Sequence, residues 1–216
     1  MPDGTRLGPV PLVPEIRLYQ TDDLVALWQR TELDGQAERE PPFWASAWAG
    51  GRALARHLLD NAAVVRGRPV IDVASGSGLV AIAAALAGAG PVAAYDIDPL
   101  AVTAIGLNAA ANNVQVRAVC ADILGDDGPP GPGPAVVLVA DAFYERELSG
   151  QVTAFLERCA AAGATVLAGD LGRAHLPQDR LVPVARYEVP GLRGLEDRDT
   201  KTVTVWTLPG SATMAG

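Results

Sequence analysis

Val70-Ile-Asp-Val-Ala-Ser-Gly-Ser-Gly-Leu79 carries the plan of the whole chain. A short apolar strand, Pro69 to Ala74, runs into a tight glycine turn. The apolar run Leu79 to Leu86 then reads as a buried helix, ended by Gly88 and Gly90. Gly76 and Gly78 allow positive φ and let a ligand approach the backbone closely. The helix that opens there presents unsatisfied N–H groups and the positive end of its dipole. An anionic or carboxylate-bearing ligand suits such a turn.

Downstream the alternation continues. Val92 to Tyr95 reads as a strand, Pro99 to Asn112 as a helix with proline in its first turn, and Val114 to Cys120 as a strand. Gly125 to Pro134 is a Gly/Pro connector. Ala135 to Ala140 is strand-like, Glu145 to Ala162 helical, and Thr165 to Ala168 strand-like. This rhythm predicts a parallel sheet with helices on both faces. Leu181 to Val189 and Lys201 to Leu208 break it, because both are strand-like and only about eleven residues lie between them. No crossover helix fits there, so the last two strands pair as an antiparallel hairpin. The fold expected is α/β: a Rossmann-like, doubly wound sheet of seven strands, mostly parallel, ending in that hairpin.

Upstream, residues 1–14 are rich in proline and read as a flexible N-terminal segment. Residues 15–33 read as a helix with Asp22 and Asp23 near its start, and 38–44 as an extended stretch set by paired prolines. Gly51 to Asn61 is an amphipathic helix with Leu54, Leu58 and Leu59 on one face. One domain with an N-terminal helical extension is therefore expected over 15–208, followed by a tail at 209–216.

At 216 residues with 49% hydrophobic residues, the chain suits one α/β domain with a sizeable core. The formal charge is −8 and the 17 Lys and Arg residues are scattered, so no basic stripe offers itself to nucleic acid. A small molecule or a basic protein partner fits such a surface better. The longest apolar run is too short to cross a bilayer, and no signal peptide is read at the N-terminus. Cys120 and Cys159 lack metal-ligand or redox spacing and read as buried free thiols in a reducing, cytoplasmic compartment. His57 and His175 have no companions for a metal site.

The ligand of the glycine turn is narrowed by acids. Asp96 ends the next strand, where a carboxylate can accept from both hydroxyls of an adenosine ribose. Ile97 follows and can cover the adenine, while Asp122 ends the third strand within reach of the adenine amino group. Gly76, Gly78 and Ala81 also satisfy a dinucleotide fingerprint, so the glycines alone leave NAD open. Three features favour S-adenosylmethionine. Asp72 sits at the strand end before the glycines, where a buried carboxylate needs a cation or donors, and a methionyl ammonium with the loop N–H groups would supply them. A dehydrogenase needs a further substrate domain, for which the chain leaves no room. The antiparallel ending is that of methyltransferases.

Pro42-Phe-Trp-Ala-Ser-Ala-Trp-Ala-Gly-Gly51, Val70-Ile-Asp-Val-Ala-Ser-Gly-Ser-Gly78, Asp96-Ile-Asp-Pro99 and Asp141-Ala-Phe-Tyr144 together resemble the class I, seven-strand S-adenosylmethionine-dependent methyltransferases. Within that class they are similar to the lysine methyltransferases of the electron-transfer flavoprotein β-subunit. The likeness spans about residues 15–208, and Phe-Trp-x-x-x-Trp-x-Gly-Gly and Asp-x-Phe-Tyr are its specific parts. It implies S-adenosylmethionine as donor and a protein lysine as acceptor, with the flavoprotein subunit a possible partner. Carried over by position, Trp48, Asp72, Gly76, Gly78, Asp96 and Asp122 would line the cofactor site, with Ala74 and Ile97 beside them. Asp141 and Tyr144 would face the acceptor. Ala74 stands where the motif usually has its first glycine and Ala49 where proline is common, which touches the substrate more than the fold.

Methyl transfer from a sulfonium is a direct displacement that needs an unprotonated nucleophile held in line. A lysine loses its proton more readily in a low-dielectric pocket, and aromatic walls with oxygen acceptors orient the amine. Asp141 and Tyr144 are the candidate catalytic residues, at the carboxyl end of the fourth strand, where ligands bind in open parallel sheets. Phe143, Glu145 and Trp44 are candidate substrate-binding residues. Phe143 and Tyr144 alternatively pack under the following helix, and Trp44 alternatively clamps the sheet edge. Gly169-Asp-Leu-Gly-Arg173 follows the fifth strand on the same side and either shapes the acceptor mouth or leaves Arg173 as a surface ion pair, the second being the preferred reading. A small-molecule N- or O-methyltransferase and a non-catalytic cofactor-binding protein remain as alternatives on the same fold.

Overall fold

The computed structural model describes residues 4–33, 41–126, 130, 135–191 and 200–211. In chain order the elements are β1 (Arg6–Val10), β2 (Val13–Gln20), α1 (Leu24–Leu33), α2 (Ala49–Asp60), β3 (Val70–Val73), α3 (Leu79–Leu86), β4 (Val92–Asp96), α4 (Pro99–Ala111), β5 (Arg117–Cys120), β6 (Val136–Ala140), α5 (Arg146–Ala161), β7 (Thr165–Asp170), β8 (Val182–Val189) and β9 (Lys201–Thr207). A 3₁₀ turn at Phe43–Ala45 precedes α2.

Seven strands form the main sheet, in the order β5-β4-β3-β6-β7-β9-β8. β3 to β7 run parallel to one another, and β9 runs antiparallel to both β7 and β8. The expected antiparallel ending is present, although residues 192–199 of its connection lie outside the described residues. The strand order turns back at β3 and β6, so the crevice of this open sheet lies outside their carboxyl ends. The glycine turn and the Asp141 segment both emerge there.

The strands separate two cores by simple alternation. Val70, Val136, Leu138 and Leu167 pack with α2, α3 and α4, while Ile71, Val73, Val137, Val139, Val166 and Ala168 pack with α5. All four residues of β3 are buried, as suits a central strand covered on both faces. α3 begins at Gly78, whose φ of +81° no L side chain adopts easily, and a Cβ there would lie 3.3 Å from the Ile105 Cα of α4. The glycine is required twice, for the turn and for the close approach of two helices. α4 opens on Asp98, whose carboxylate accepts from the Leu100 amide at 2.8 Å, with Pro99 pre-set in its first turn.

The N-terminus differs from expectation. Residues 6–20 are not flexible or helical but form a two-stranded antiparallel hairpin, and the helix is confined to Leu24–Leu33. Val13, Ile16 and Leu18 of β2 point into the main core together with Val10, while Pro9, Pro11 and Pro14 stay exposed. A two-stranded pair leaves each strand one free edge, where proline costs no ladder bond. Asn108 and Asn112 of α4 fasten the hairpin. Asn108 Oδ1 accepts from the Tyr19 amide at 2.8 Å and its Nδ2 donates to the Ser77 carbonyl at 2.8 Å, so one fully buried amide ties β2 to the glycine turn.

Smaller shifts are local. α2 starts two residues before the expected Gly51, and β5 begins at Arg117 rather than Val114. Phe43 and Trp44, expected as extended chain, close a turn together with Ala45. Residues 38–40, 127–129, 131–134 and 212–216, parts of the expected extended stretch, connector and tail, lie outside the described residues. Cys159 is buried as expected, and burial pushes its thiol up to about 11, but Cys120 is exposed at the end of β5. No helix among the described residues is long and apolar enough to cross a membrane.

Candidate active site

At the end of β3 the chain turns through Ala74 (φ +51°), Gly76 (+54°) and Gly78 (+81°). Asp72 lies beneath this turn, 1% exposed, and its Oδ2 accepts from Ser75 Oγ at 2.5 Å and from the Ala81 amide at 3.1 Å. Burial pushes its carboxyl up to about 7, against the pull of those two donors. Asp72 is thus the floor of the turn and stitches it to α3.

Asp96 borders the turn from β4. Its Oδ2 accepts from the Gly76 amide at 2.8 Å and its Oδ1 from the Asp98 amide at 3.0 Å, and burial raises its pKa. Ile97 beside it is 71% exposed, an uncovered apolar surface on the rim. Asp122 lies two residues beyond the end of β5, not on it; it is exposed and its Oδ1 accepts from the Leu124 amide at 2.9 Å. Glycine turn, Asp96, Ile97 and Asp122 follow one another along the carboxyl edge of β3, β4 and β5.

The segment before α2 lies over the turn: a Cβ on Gly76 would sit 3.9 Å from the Trp44 backbone. Trp44 itself does not face an acceptor. It is 2% exposed and packs with Leu27, Ala45, Ala101 and Ala104. Its indole N–H and the Ser46 hydroxyl are buried with no hydrogen-bond partner among the described residues. Trp48 turns the other way. Its Nε1 donates to the Phe43 carbonyl at 2.8 Å, and its ring meets the Phe43 ring edge-on with centroids 6.0 Å apart. Phe43 in turn lies 6.0 Å from the ring of Tyr144. Phe43 (41% exposed) and Tyr144 (53% exposed) form an open aromatic rim with Trp48. Phe143 is not part of it, being fully buried in the core beneath α5.

Asp141, expected as a catalytic acid, is engaged on both oxygens. Oδ2 accepts from the Gly51 amide in the first turn of α2 at 2.8 Å, and Oδ1 meets Arg173 Nη1 at 2.7 Å. Burial raises its pKa and Arg173 opposes the rise. Arg173 is no surface pair, since the same Nη1 also reaches Asp170 Oδ2 at 2.7 Å. Glu145 is exposed at the N-terminus of α5 and caps it with no side-chain bond.

Sequence reasoning thus missed Phe43, although it stands in the quoted Phe-Trp stretch, and misplaced Arg173. No local signal separates Phe43 from the adjacent Trp44. The signal for Arg173 was the preceding Asp170, three residues away in a glycine-containing turn. His57 contacts the Tyr187 hydroxyl through Nδ1 at 3.1 Å, a structural role, and burial lowers its pKa. No group of metal-ligating side chains is assembled among the described residues. A cavity of about 430 Å³ between α5 and the segment 174–180, lined by Arg146, Ser149, Thr153, His175 and Arg180, is separate from the glycine turn.

Residues 53–167 match the family model of ribosomal protein L11 methyltransferase. The chain is 37% identical over 202 residues to the electron transfer flavoprotein beta subunit lysine methyltransferase of Rattus norvegicus, covering 90% of this chain and 77% of that protein. It is 39% identical over 204 residues to the protein of the same name from Xenopus laevis, covering 91% and 80%. Among solved structures, the 16S rRNA N2 G1207 methyltransferase of Thermus thermophilus, in complex with AdoMet and guanosine, superposes with a TM-score of 0.58 at 14% identity, covering 96% of this chain and 51% of that one. TrmN from Thermus thermophilus gives 0.52 at 22% identity, covering 84% and 53%. At these identities the two structures establish the fold alone.

Proposed function

The chain belongs to the electron transfer flavoprotein beta subunit lysine methyltransferases, and from that premise we propose that it moves methyl groups from S-adenosylmethionine to a lysine side chain of a protein, the electron transfer flavoprotein beta subunit being the first acceptor to test. One observation carries the reading beyond the family: the open rim of Phe43, Trp48 and Tyr144 stands at the same sheet edge as the glycine turn.

The residues present fit the donor. Gly76 brings no side chain between the turn and the Trp44 backbone, Asp96 retains lone pairs beyond those used by Gly76 and Asp98, and Ile97 offers an uncovered apolar face. The partnerless Trp44 Nε1 and Ser46 Oγ lie in the segment over the turn, where a polar ligand would satisfy buried groups. Asp96 would hold the ribose hydroxyls, Ile97 one face of the adenine, Asp122 its amino group, and Gly76 and Gly78 the methionyl end. Bound there, S-adenosylmethionine supplies an electrophilic sulfonium methyl group.

What this chain contributes is placement. Asp141 is committed to Gly51 and Arg173, so it is a framework carboxylate and not a free base. The aromatic rim attracts the lysine ammonium through its ring faces and excludes water once the acceptor lies down. A desolvated ammonium gives up its proton to solvent more readily. The amine so held would be in the neutral form to which the sulfonium methyl group can be donated.

A cell extract supplied with methyl-labelled S-adenosylmethionine tests the reading. Label in a protein band that disappears with Tyr144→Ala supports it. Label only in the small-molecule fraction transfers the assignment to a small acceptor, and label in RNA transfers it to nucleic acid.

A further inference from the structure

Asp141, Arg173 and Asp170 form a linked set, of which the methyl-transfer reading uses Asp141 as framework and leaves Arg173 and Asp170 without a role. Asp170 is wholly buried at the end of β7, and its Oδ1 accepts from the Gly172 and Arg173 amides, both at 2.8 Å. With Gly172 at φ +82°, this turn folds the arginine back onto its own strand end. Its Nη1 then lies 2.7 Å from Asp170 Oδ2 and 2.7 Å from Asp141 Oδ1. One cation therefore bridges the carboxyl ends of β6 and β7.

On its far side Asp141 fastens a third element. Its Oδ2 accepts from Gly51, an amide of the first turn of α2, where a carboxylate also meets the positive end of the helix dipole. The contact is close enough that Gly50 cannot carry a side chain: a Cβ there would meet the Gly169 carbonyl oxygen and lie 2.7 Å from Asp141 Oδ2. Asp141 also holds φ +57° while its amide donates to the Gly169 carbonyl at 3.0 Å. A left-handed aspartate persists only where its surroundings fix it.

Both halves of the aromatic rim hang from this joint. Trp48 is the residue that caps α2, and it holds Phe43 by its indole N–H. Tyr144 follows Asp141 by three residues. We propose that Arg173 is a positioning residue of the acceptor site: by holding the Asp141 carboxylate, it seats the N-terminus of α2 so that Phe43, held by Trp48, meets Tyr144. The inference rests on the methyl-transfer reading for its consequence, though not for its geometry.

Removing the guanidinium leaves two carboxylates facing one another without a cation. Among the described residues, Arg173 and Asp170 are the charged groups that act on Asp141, and the Gly51 amide is the α2 group it accepts from. Asp141 then takes up a proton at higher pH, and a protonated carboxyl is a poorer acceptor for Gly51. The rim loosens by fractions of an ångström to an ångström, which is enough to cost roughly 10- to 100-fold in transfer.

Arg173→Met and Arg173→Lys, compared with the wild-type chain, test this. Arg173→Met is expected to lower kcat by about that factor, to move the acid limb of the pH profile upward, and to leave affinity for S-adenosylhomocysteine within about threefold. Arg173→Lys restores a cation and is expected to recover part of the rate and most of the pH profile. The Gly51 amide, followed by NMR as pH falls, is expected to shift at higher pH in Arg173→Met than in wild type. An unchanged pH profile and an unshifted Gly51 titration overturn the proposal. If Arg173→Met does not fold, Arg173→Lys decides, since loss of rate with no change in Gly51 overturns it equally. A wild-type chain that methylates no protein would sink the proposed function, whereas the Gly51 titration reads the joint by itself.

Discussion

Asp96 Oδ2 accepts from the Gly76 amide at 2.8 Å, so the acid that ends β4 fastens the glycine turn that ends β3. A residue read from sequence as a ligand to a ribose is also a strut of the turn that would hold the rest of the same molecule. Asp96→Ala is therefore expected to weaken S-adenosylhomocysteine binding by about 10- to 100-fold, the worth of one or two hydrogen bonds to a charged group. Titration calorimetry reads it. Wild-type affinity in the variant would remove Asp96 from the cofactor site.

The turn carries one strained residue. Ala74 holds φ +51°, which suits glycine, while Gly78 has φ +81° and a neighbour 3.3 Å from its Cβ position. Ala74→Gly is expected to stabilise the fold by about 0.5–1 kcal/mol, and Gly78→Ala to destabilise it by about 1–3 kcal/mol. Urea unfolding of both variants checks the pair. Equal effects would show that the local conformation does not set the cost.

Two neighbouring phenylalanines separate core from site. Phe143 is fully buried, so Phe143→Ala is expected to cost about 3–5 kcal/mol of stability. Phe43 stands open beside Trp48 and Tyr144, so Phe43→Ala is expected to leave the melting temperature within a few degrees and to raise KM for a protein acceptor. Thermal melts and steady-state kinetics on the two variants distinguish them. A Phe43→Ala protein with unchanged KM would take the rim out of acceptor binding.

Asp72 makes stability depend on pH. Burial pushes its carboxyl from the ordinary 3.8 to about 7, so the folded state holds this proton more tightly than the unfolded chain does. Its favourable contribution is whole below pH 3.8 and is lost as pH rises through about 7. The wild-type unfolding midpoint is expected to fall more between pH 5 and 8 than that of Asp72→Asn. Parallel pH curves for the two proteins would show that Asp72 titrates normally.

The parts that were legible in the sequence are those where local pattern and tertiary demand agree. The run from Val70 to Leu79 codes a buried strand, a positive-φ turn and an apolar helix at once, and the short gap before Lys201 leaves the last two strands only one pairing. The β1–β2 hairpin was hidden because prolines at positions 9, 11 and 14 mask the period-two spacing of Ile16 and Leu18, and its stability comes from distant Asn108 and Asn112. The site was half legible. Asp96 and Tyr144 lie where spacing put them, but nothing local distinguishes Phe43 from Trp44 or Phe143 from Tyr144. Which ring is exposed is settled by α4 and α5, which swallow Trp44 and Phe143. Arg173 was misread because its two partners come together only when β6 and β7 align.

The most direct measurement is to incubate the purified chain with S-adenosylmethionine and intact electron transfer flavoprotein, then map the beta subunit by peptide mass spectrometry. Additions of one or more methyl groups on lysine, absent with Tyr144→Ala, are the expected result. A beta subunit whose lysines stay unmodified, while the same chain methylates RNA or a small molecule, would contradict the assignment to protein lysine.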